Sequence, residues 1–190
     1  MPFSLTLSHV GIHVTDMARM VDFYTRFLGF AESDRGATLD GGEIVFLTRD
    51  PREHHQLVLA SGRPKDLQYN VINQLSFRVD SVQTLRDLQT QLKKENCEEL
   101  GAMTHGNALS LYFRDPEKNR IELLVDTPWH VPQPCRIPVD LALTDEELWP
   151  AIEQKVRELS GFKPRAAWQA EIDQKISEAT ERRRDVKAPM

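Results

Sequence analysis

Residues 9–14 read His-Val-Gly-Ile-His-Val, and residues 74–79 read Gln-Leu-Ser-Phe-Arg-Val. The second stretch follows the first at an offset of 65 residues. In both, an apolar residue alternates with a polar or small one, which is typical of a strand with one buried face. Each stretch leads into a helix start, for which we expect Asp16 and Ser81 to be the N-caps.

The same offset relates a second pair of segments. Residues 45–51, Val-Phe-Leu-Thr-Arg-Asp-Pro, correspond to residues 110–116, Ser-Leu-Tyr-Phe-Arg-Asp-Pro. One such match could be chance, but two matches at an identical offset indicate a duplicated unit.

Each unit has the pattern of a strand, a helix and further strands. Apolar residues at helical spacing follow each first strand: Met17, Met20, Val21, Tyr24, Phe27 and Leu28 in the first unit, and Val82, Leu85, Leu88 and Leu92 in the second. Turn signals then precede strand-like runs, at 43–49 and 55–60 in the first unit and at 108–114 and 120–125 in the second. The sequence therefore predicts an α+β fold with two βαβββ modules.

Strand alternation assigns the faces of the two first strands. Val10, Ile12 and Val14 would face their helix, so that His9, Gly11 and His13 face the other side; in the second unit Gln74, Ser76 and Arg78 do so. A pseudo-twofold pairing of the two sheets would make these polar faces a central cavity. The alternative is a solvated outer face of each sheet. We expect modules at 1–64 and 65–127, together one domain, followed by a tail at 128–190.

Three side chains within the expected cavity are candidate metal ligands. His9 and Gln74 occupy equivalent positions of the first strands, and Glu122 lies in the last strand of the second unit. The residue equivalent to Glu122 in the first unit is Leu57, so a fourth ligand is absent there. Three ligands leave positions open for substrate. Imidazole, amide oxygen and carboxylate suit a divalent ion such as Fe, Mn or Zn.

These stretches carry a resemblance to a known superfamily. The His9 strand, residues 73–79 and the stretch from Tyr112 to Glu122 resemble the vicinal oxygen chelate superfamily. That superfamily includes glyoxalase I, bleomycin-resistance proteins and type I extradiol dioxygenases, and the resemblance covers about residues 5–127. The extradiol branch is the most similar, and it implies a ring-cleaving dioxygenase with Fe(II), an aromatic diol and dioxygen.

The resemblance also implies roles for individual residues. His55 matches the acid–base histidine of the extradiol enzymes, His105 a histidine near dioxygen and substrate, and Tyr112 the tyrosine that hydrogen-bonds a catechol oxygen. His9 and Glu122 match two of the three iron ligands. Gln74 stands where those enzymes have a second ligand histidine, although glyoxalase I uses a glutamine at a related position.

Other functions and other roles for these residues remain open. A glyoxalase-like lyase, isomerase or epimerase would use Zn, Ni, Mn or Co, and a metal-free binding module would use none. Without a metal, Glu122 could pair with Arg78, and Tyr112 could be ordinary strand packing. We expect His54 to be a solvent-facing neighbour of His55, because adjacent strand residues point in opposite directions.

Beyond residue 126 the repeat ends and a different pattern begins. Prolines at 128, 132, 134 and 138 predict an extended strap. Residues 144–147, Thr-Asp-Glu-Glu, form a capping box ahead of an amphipathic helix, and a second helix is expected at about 165–181. Their apolar stripes could cover the cavity mouth, pack on a sheet edge or contact a second subunit, and a homodimer is expected.

Composition excludes several classes of protein. The net charge is −5 and the pI is about 5.7, so no basic surface for nucleic acid is expected. No apolar run approaches the length of a membrane span, and the N-terminus has no secretory signal pattern. Cys97 and Cys135 lack metal-type spacing and are expected to be reduced thiols of a cytoplasmic protein.

Overall fold

The computed structural model describes residues 5–67 and 69–185. Two compact units are present. One contains the described residues up to 75 together with 114–121, and the other contains residues 76–113 and 122–185. Each unit holds a multi-stranded sheet and helices, which confirms the predicted α+β class.

The first unit contains a four-stranded sheet in the order β1-β4-β3-β2. Its elements are β1 (Val10–Val14), α1 (Met17–Asp22) with a π-helical turn (Phe23–Phe27), β2 (Ala31–Ala37), β3 (Glu43–Thr48) and β4 (Leu57–Ser61). β1 pairs with β4 in parallel, and the other pairs are antiparallel. Ile12 and Val14 are buried while Gly11 and His13 are exposed, as the alternation of β1 predicts.

The second sheet repeats this topology. Its strands and the helix between them are β5 (Leu75–Arg78), α2 (Val82–Lys94), β6 (Glu99–Thr104), β7 (Ala108–Arg114) and β8 (Arg120–Asp126), and the short strand β10 (Ile137–Pro138) from the tail adds to the sheet. Residues 75, 114 and 120–121, at the ends of these strands, belong to the first unit. The order is β10-β6-β7-β8-β5, so β5-β8-β7-β6 reproduces β1-β4-β3-β2. The duplication inferred from the 65-residue offset is confirmed. The boundaries at 64 and 127, and the pairing of the modules around a cavity, stay predictions.

Both module helices begin at the expected caps. The Asp16 side chain accepts a hydrogen bond from the Arg19 amide, and the Ser81 hydroxyl accepts one from the Thr84 amide. In the first unit the helical segment ends before Gly29, which has φ of 70°. Glycine adopts this left-handed conformation without steric cost, so the chain can turn into β2.

The turn between β7 and β8 is anchored inside the first unit. Asp115 is buried and accepts hydrogen bonds from the Tyr24 hydroxyl at 3.0 Å and from the Asn119 amide at 2.9 Å. Glu117 accepts from the amides of Thr15 and Asp16, just ahead of α1, at 2.6 and 2.7 Å. Burial is the main cause of a raised pKa of Asp115. This turn therefore has a structural role that its sequence did not reveal.

The tail contains both helices that the sequence predicts. They are α3 (Asp145–Arg157) and α4 (Arg165–Asp185), and the short strands β9 (Trp129–His130) and β11 (Lys163–Pro164) pair ahead of α4. The capping box of α3 is present, since Thr144 and Glu147 satisfy each other's backbone amides. Within residues 5–67 and 69–185, no helix is long and apolar enough to cross a bilayer.

Candidate functional site

Glu122 is a buried carboxylate in the second sheet, on the strand between β7 and the edge strand β5. It lies in β8, is 5% exposed, and accepts hydrogen bonds at both oxygens. The Tyr112 hydroxyl of β7 donates to Oε1, and the Ser76 hydroxyl of β5 donates to Oε2, both at 2.5 Å. Arg78 forms its ion pair with Asp126 at 2.9 Å instead. Arg78 is thus engaged by Asp126, and a pairing of Arg78 with Glu122 stays a prediction.

Tyr112 links Glu122 to His105. Nε2 of His105 lies 2.8 Å from the Tyr112 hydroxyl, and Nδ1 lies 2.6 Å from the carbonyl oxygen of Cys135. A carbonyl oxygen can only accept, so Nδ1 of His105 carries a proton. The structure thus brings together His105, Tyr112 and Glu122, which the resemblance had singled out one by one.

The two hydrogen bonds that join His105, Tyr112 and Glu122 need more protons than the Tyr112 hydroxyl alone supplies. The Tyr112 hydroxyl has one proton and two close neighbours, Nε2 of His105 and Oε1 of Glu122. Both contacts are hydrogen bonds only when a second proton lies on the imidazole or on the carboxyl group. Burial, followed by the hydrogen bond and charge of Glu122, raises the pKa of Tyr112 well above its ordinary value. Tyr112 is therefore a neutral hydrogen-bond donor at neutral pH.

The turn that holds His105 depends on Gly106. This residue has φ of 78°, and a Cβ atom at this position would collide with the Val131 side chain. The amide of Gly106 donates to the Thr104 hydroxyl, and its carbonyl accepts from the Thr127 hydroxyl. The tight turn brings His105 back to the face that carries Tyr112.

A second cluster of candidate residues lies in the first unit. The His9 ring, just ahead of β1, is 4.2 Å from the His55 ring between centroids. Phe46 of β3 contacts His55 at 5.0 Å and His54 at 5.6 Å. Burial, then the charges of His9 and His54, lower the pKa of His55. His55 is therefore favoured as a neutral imidazole, which is the form that can accept a proton.

His54 departs from the sequence-based expectation in one respect. Its side chain is 57% exposed, as expected, but its Nδ1 lies 2.8 Å from Nδ1 of His55. Both residues lie in the turn ahead of β4, which begins at Leu57, so strand alternation does not separate them. The sequence offered only the His-His pair itself as a signal of this contact.

The remaining expected residues lie where the repeat places them. Gln74 is half-buried and directly precedes β5, as His9 precedes β1. Leu57 in β4 is fully buried. Because a leucine side chain has no atom that can bind a metal, the position equivalent to Glu122 offers no fourth ligand. Across the described parts of the chain, no three side chains of His, Cys, Asp or Glu form a metal-binding group. The proposed set of His9, Gln74 and Glu122 contains only two such residues.

The sequence did not predict a contact between Ser76 and a candidate ligand. Ser76 was expected on the polar face of β5, and the structure adds that its hydroxyl donates to Glu122. A signal was present in the repeat, since Ser76 aligns with Gly11 and the module that has this hydroxyl is also the one that has Glu122 in place of Leu57.

Comparisons with known proteins define the class. The model of the Glyoxalase/Bleomycin resistance protein/Dioxygenase superfamily matches residues 6–123. The chain belongs to this superfamily, as the repeated βαβββ topology and the motifs predicted. Residues 124–190 lie outside the match.

Individual relatives refine the comparison. The chain is 27% identical over 123 residues to biphenyl-2,3-diol 1,2-dioxygenase 2 of Rhodococcus globerulus, covering 63% of this chain and 62% of the relative. It is 28% identical over 125 residues to biphenyl-2,3-diol 1,2-dioxygenase 3 of that organism, covering 63% of each. The chain thus spans about three fifths of the length of these relatives. A solved glyoxylase/bleomycin resistance protein/dioxygenase domain from Frankia sp. EAN1pec superposes with a TM-score of 0.57 at 26% identity, covering 65% of this chain and 100% of that domain.

Proposed function

We propose that the protein is a metal-dependent, extradiol-type ring-cleaving dioxygenase that acts on a catechol-like aromatic diol. The observation that carries the proposal is the hydrogen-bonded chain of His105, Tyr112 and Glu122, which joins a carboxylate, a neutral phenol and an imidazole on one sheet. The similarity to two biphenyl-2,3-diol dioxygenases supports the same reaction class.

The proposed metal ligands are His9, Gln74 and Glu122. Their donor atoms suit Fe(II), with Mn, Zn and Ni as alternatives. A carboxylate offers about four lone-pair sites, so accepting hydrogen bonds from Tyr112 and Ser76 is compatible with binding an ion as well. When bound, the ion would supply Lewis acidity and a common attachment point for the diol and dioxygen.

The side chains around the ion would handle protons and charge. A neutral His55 would accept a proton from a diol hydroxyl, since its lowered pKa favours the unprotonated form. On diol binding, Tyr112 would redirect its single hydroxyl proton from Glu122 to a diol oxygen, and His105 would stabilise negative charge that develops nearby. His105 is held for this role by the carbonyl oxygen of Cys135.

The proposed partners are a small aromatic diol, dioxygen and a second copy of the chain. Exposed apolar side chains favour a homodimer, and they include Leu5, Leu7, Tyr69 and Val71. A cytoplasmic location is part of the proposal, supported by the buried Cys135 thiol, which is in no disulfide.

Oxygen consumption tests the proposal. The protein would be purified without oxygen, analysed for metal, loaded with Fe(II) and mixed with a panel of diols that includes catechol and biphenyl-2,3-diol. We expect oxygen uptake together with a yellow ring-opened product, and a matched Zn(II) sample should give neither.

Two other outcomes would overturn it. Tight binding of a divalent metal without any oxygen chemistry would favour a glyoxalase-like lyase, isomerase or epimerase. No metal binding under any condition would favour a metal-free binding module.

A further inference from the structure

Residues 131–137 lie beyond the superfamily match and run beside the turn that holds His105. One end of this segment packs against the turn through the Val131 side chain. At its other end, β10 pairs with β6 just ahead of His105. The middle of the segment belongs to no strand, so its position depends on contacts made by side chains.

The side-chain amide of Gln133 makes such contacts. Its Nε2 atom donates hydrogen bonds to the carbonyl oxygens of His105 at 2.6 Å and of Val131 at 3.3 Å. Its Oε1 atom accepts a hydrogen bond from the Cys135 amide at 3.1 Å. Because two partners accept and one donates, the orientation of the Gln133 amide is fixed by the backbone around it.

These hydrogen bonds reach His105 from two directions. Gln133 binds the backbone carbonyl of His105 directly, and it also holds Cys135, whose own carbonyl oxygen lies 2.6 Å from Nδ1 of the His105 ring. The other edge of this ring, at Nε2, lies 2.8 Å from the Tyr112 hydroxyl. A shift of the segment would therefore move the His105 ring relative to Tyr112.

The exposure of Gln133 argues against a role in packing. Its side chain buries little surface, and a hydrogen bond at the surface adds little net stability because water can replace it. What remains is the restraint that three bonds to backbone groups place on the segment. Gln89 on α2 offers a comparison, since its Nε2 donates to Oε1 of Glu99 at 2.6 Å. That bond lies at the end of β6 remote from His105.

We infer that Gln133 is a positioning residue that holds the His105 ring in place against Tyr112. It acts through the His105 backbone and the Cys135 carbonyl, not by contact with the substrate. Its effect on turnover rests on the proposed function, whereas its effect on the ring does not.

Carbon-13 NMR relaxation of the Cε1–H bond of His105 measures how firmly the ring is held, and it needs neither metal nor substrate. In the full chain, Gln133→Met keeps the length of the side chain but removes the amide, so the order parameter of the ring should fall. Gln89→Met also removes one side-chain amide from the same unit and should leave the ring unchanged. Urea unfolding should show a small loss of stability in both variants.

Gln133→Glu is the second variant, and it serves if the first does not fold. Its carboxylate can accept from the Cys135 amide but has no donor for the His105 carbonyl. We expect a smaller fall of the order parameter than in Gln133→Met, because one of the two connections to His105 is kept. A wild-type order parameter in either Gln133→Met or Gln133→Glu would overturn the inference.

Turnover by the Fe(II)-loaded protein supplies the second readout. Gln133→Met should lower kcat for diol cleavage by about tenfold with little change in KM, because a displaced His105 stabilises developing charge less well. In a His105→Phe background, Gln133→Met should change kcat by no more than about twofold, since the residue through which it acts is gone. A full tenfold loss in that background would overturn the inference.

The two readouts keep the inference and the proposed function apart. If the His105 ring loosens in Gln133→Met and the wild-type protein cleaves no diol, the proposed function fails and the positioning role of Gln133 stands. If diols are cleaved and Gln133→Met alters neither the ring nor kcat, the positioning role fails and the proposed function stands.

Discussion

The Tyr112 hydroxyl on β7 donates a 2.5 Å hydrogen bond to Oε1 of Glu122 on the neighbouring strand β8. Both side chains are nearly buried, at 7% and 5% exposure. A buried carboxylate without partners is costly, so this contact stabilises the fold as well as the candidate site. Tyr112 would thus have a stabilising role and a chemical role. Comparison with a tyrosine that has only the stabilising role can separate them.

Tyr112→Phe should lower the free energy of unfolding by about 1.5–3 kcal/mol, the usual range for a hydrogen bond to a charged group. Tyr24→Phe is the matched control, because the Tyr24 hydroxyl donates to another buried carboxylate, Asp115, at 3.0 Å. Urea unfolding should show comparable losses for both variants. Only Tyr112→Phe should also lower kcat for diol cleavage, and an equal loss of kcat in Tyr24→Phe would contradict a chemical role for Tyr112.

Gly106→Ala should be strongly destabilising. The new methyl group would collide with Val131, and the backbone would have to hold an alanine at φ of 78°. The left-handed conformation and the overpacking together cost about 2–4 kcal/mol. Thermal unfolding measures the loss, and the double variant Gly106→Ala/Val131→Ala should recover part of it because the clashing methyl groups are gone. A double variant less stable than both single variants would show that the clash with Val131 is not the cause.

Much of the fold follows from patterns that are local in the sequence. The alternation in residues 9–14 and 74–79, the caps Asp16 and Ser81, and the capping box of α3 are short-range features, and each appears in the structure as expected. β2 was not located by sequence patterns. All seven of its residues are exposed, so no apolar alternation marks the strand.

Contacts between residues distant in the sequence were harder to predict. Asp115 and Tyr24 are 91 residues apart, and the Arg-Asp-Pro motif that Asp115 shares with Asp50 gave no hint of the difference between them. Asp50 instead accepts from the nearby Arg52 and lies half-buried. The Asp34–His54 approach likewise joins β2 to the turn ahead of β4, and no local pattern encodes it.

The stability of the tail should depend on pH through His130. Burial, then the charge of Lys163, lower the pKa of His130 from 6.5, and its ring stacks on Trp168 at 5.0 Å. Well above pH 6.5 the residue is neutral in both folded and unfolded chains. As the pH falls below 6.5, the unfolded chain binds the proton first, so the free energy of unfolding decreases until the pH passes the folded-state pKa.

Tryptophan fluorescence during urea unfolding at several pH values between 7.5 and 5 would measure this dependence. His130→Gln should show a shallower decline than the wild-type protein, because it has no proton to bind. Lys163→Gln should be intermediate, since it removes only the second cause of the lowered pKa. Identical pH dependence in the wild-type protein and His130→Gln would rule out this role for His130.

Gln74→His tests whether the residue equivalent to His9 is a metal ligand. Imidazole is a stronger donor than an amide oxygen, so the variant should bind Fe(II) or Zn(II) more tightly by about tenfold or more, equal to about 1.4 kcal/mol. Anaerobic isothermal titration calorimetry measures the affinity. Gln174→His on the exposed face of α4 adds the same imidazole elsewhere and should leave the affinity of the tight site unchanged. Equal affinities of Gln74→His and the wild-type protein would show that residue 74 does not touch the ion. The proposed ligand set would then be reduced to His9 and Glu122, too few to hold a catalytic metal through protein side chains.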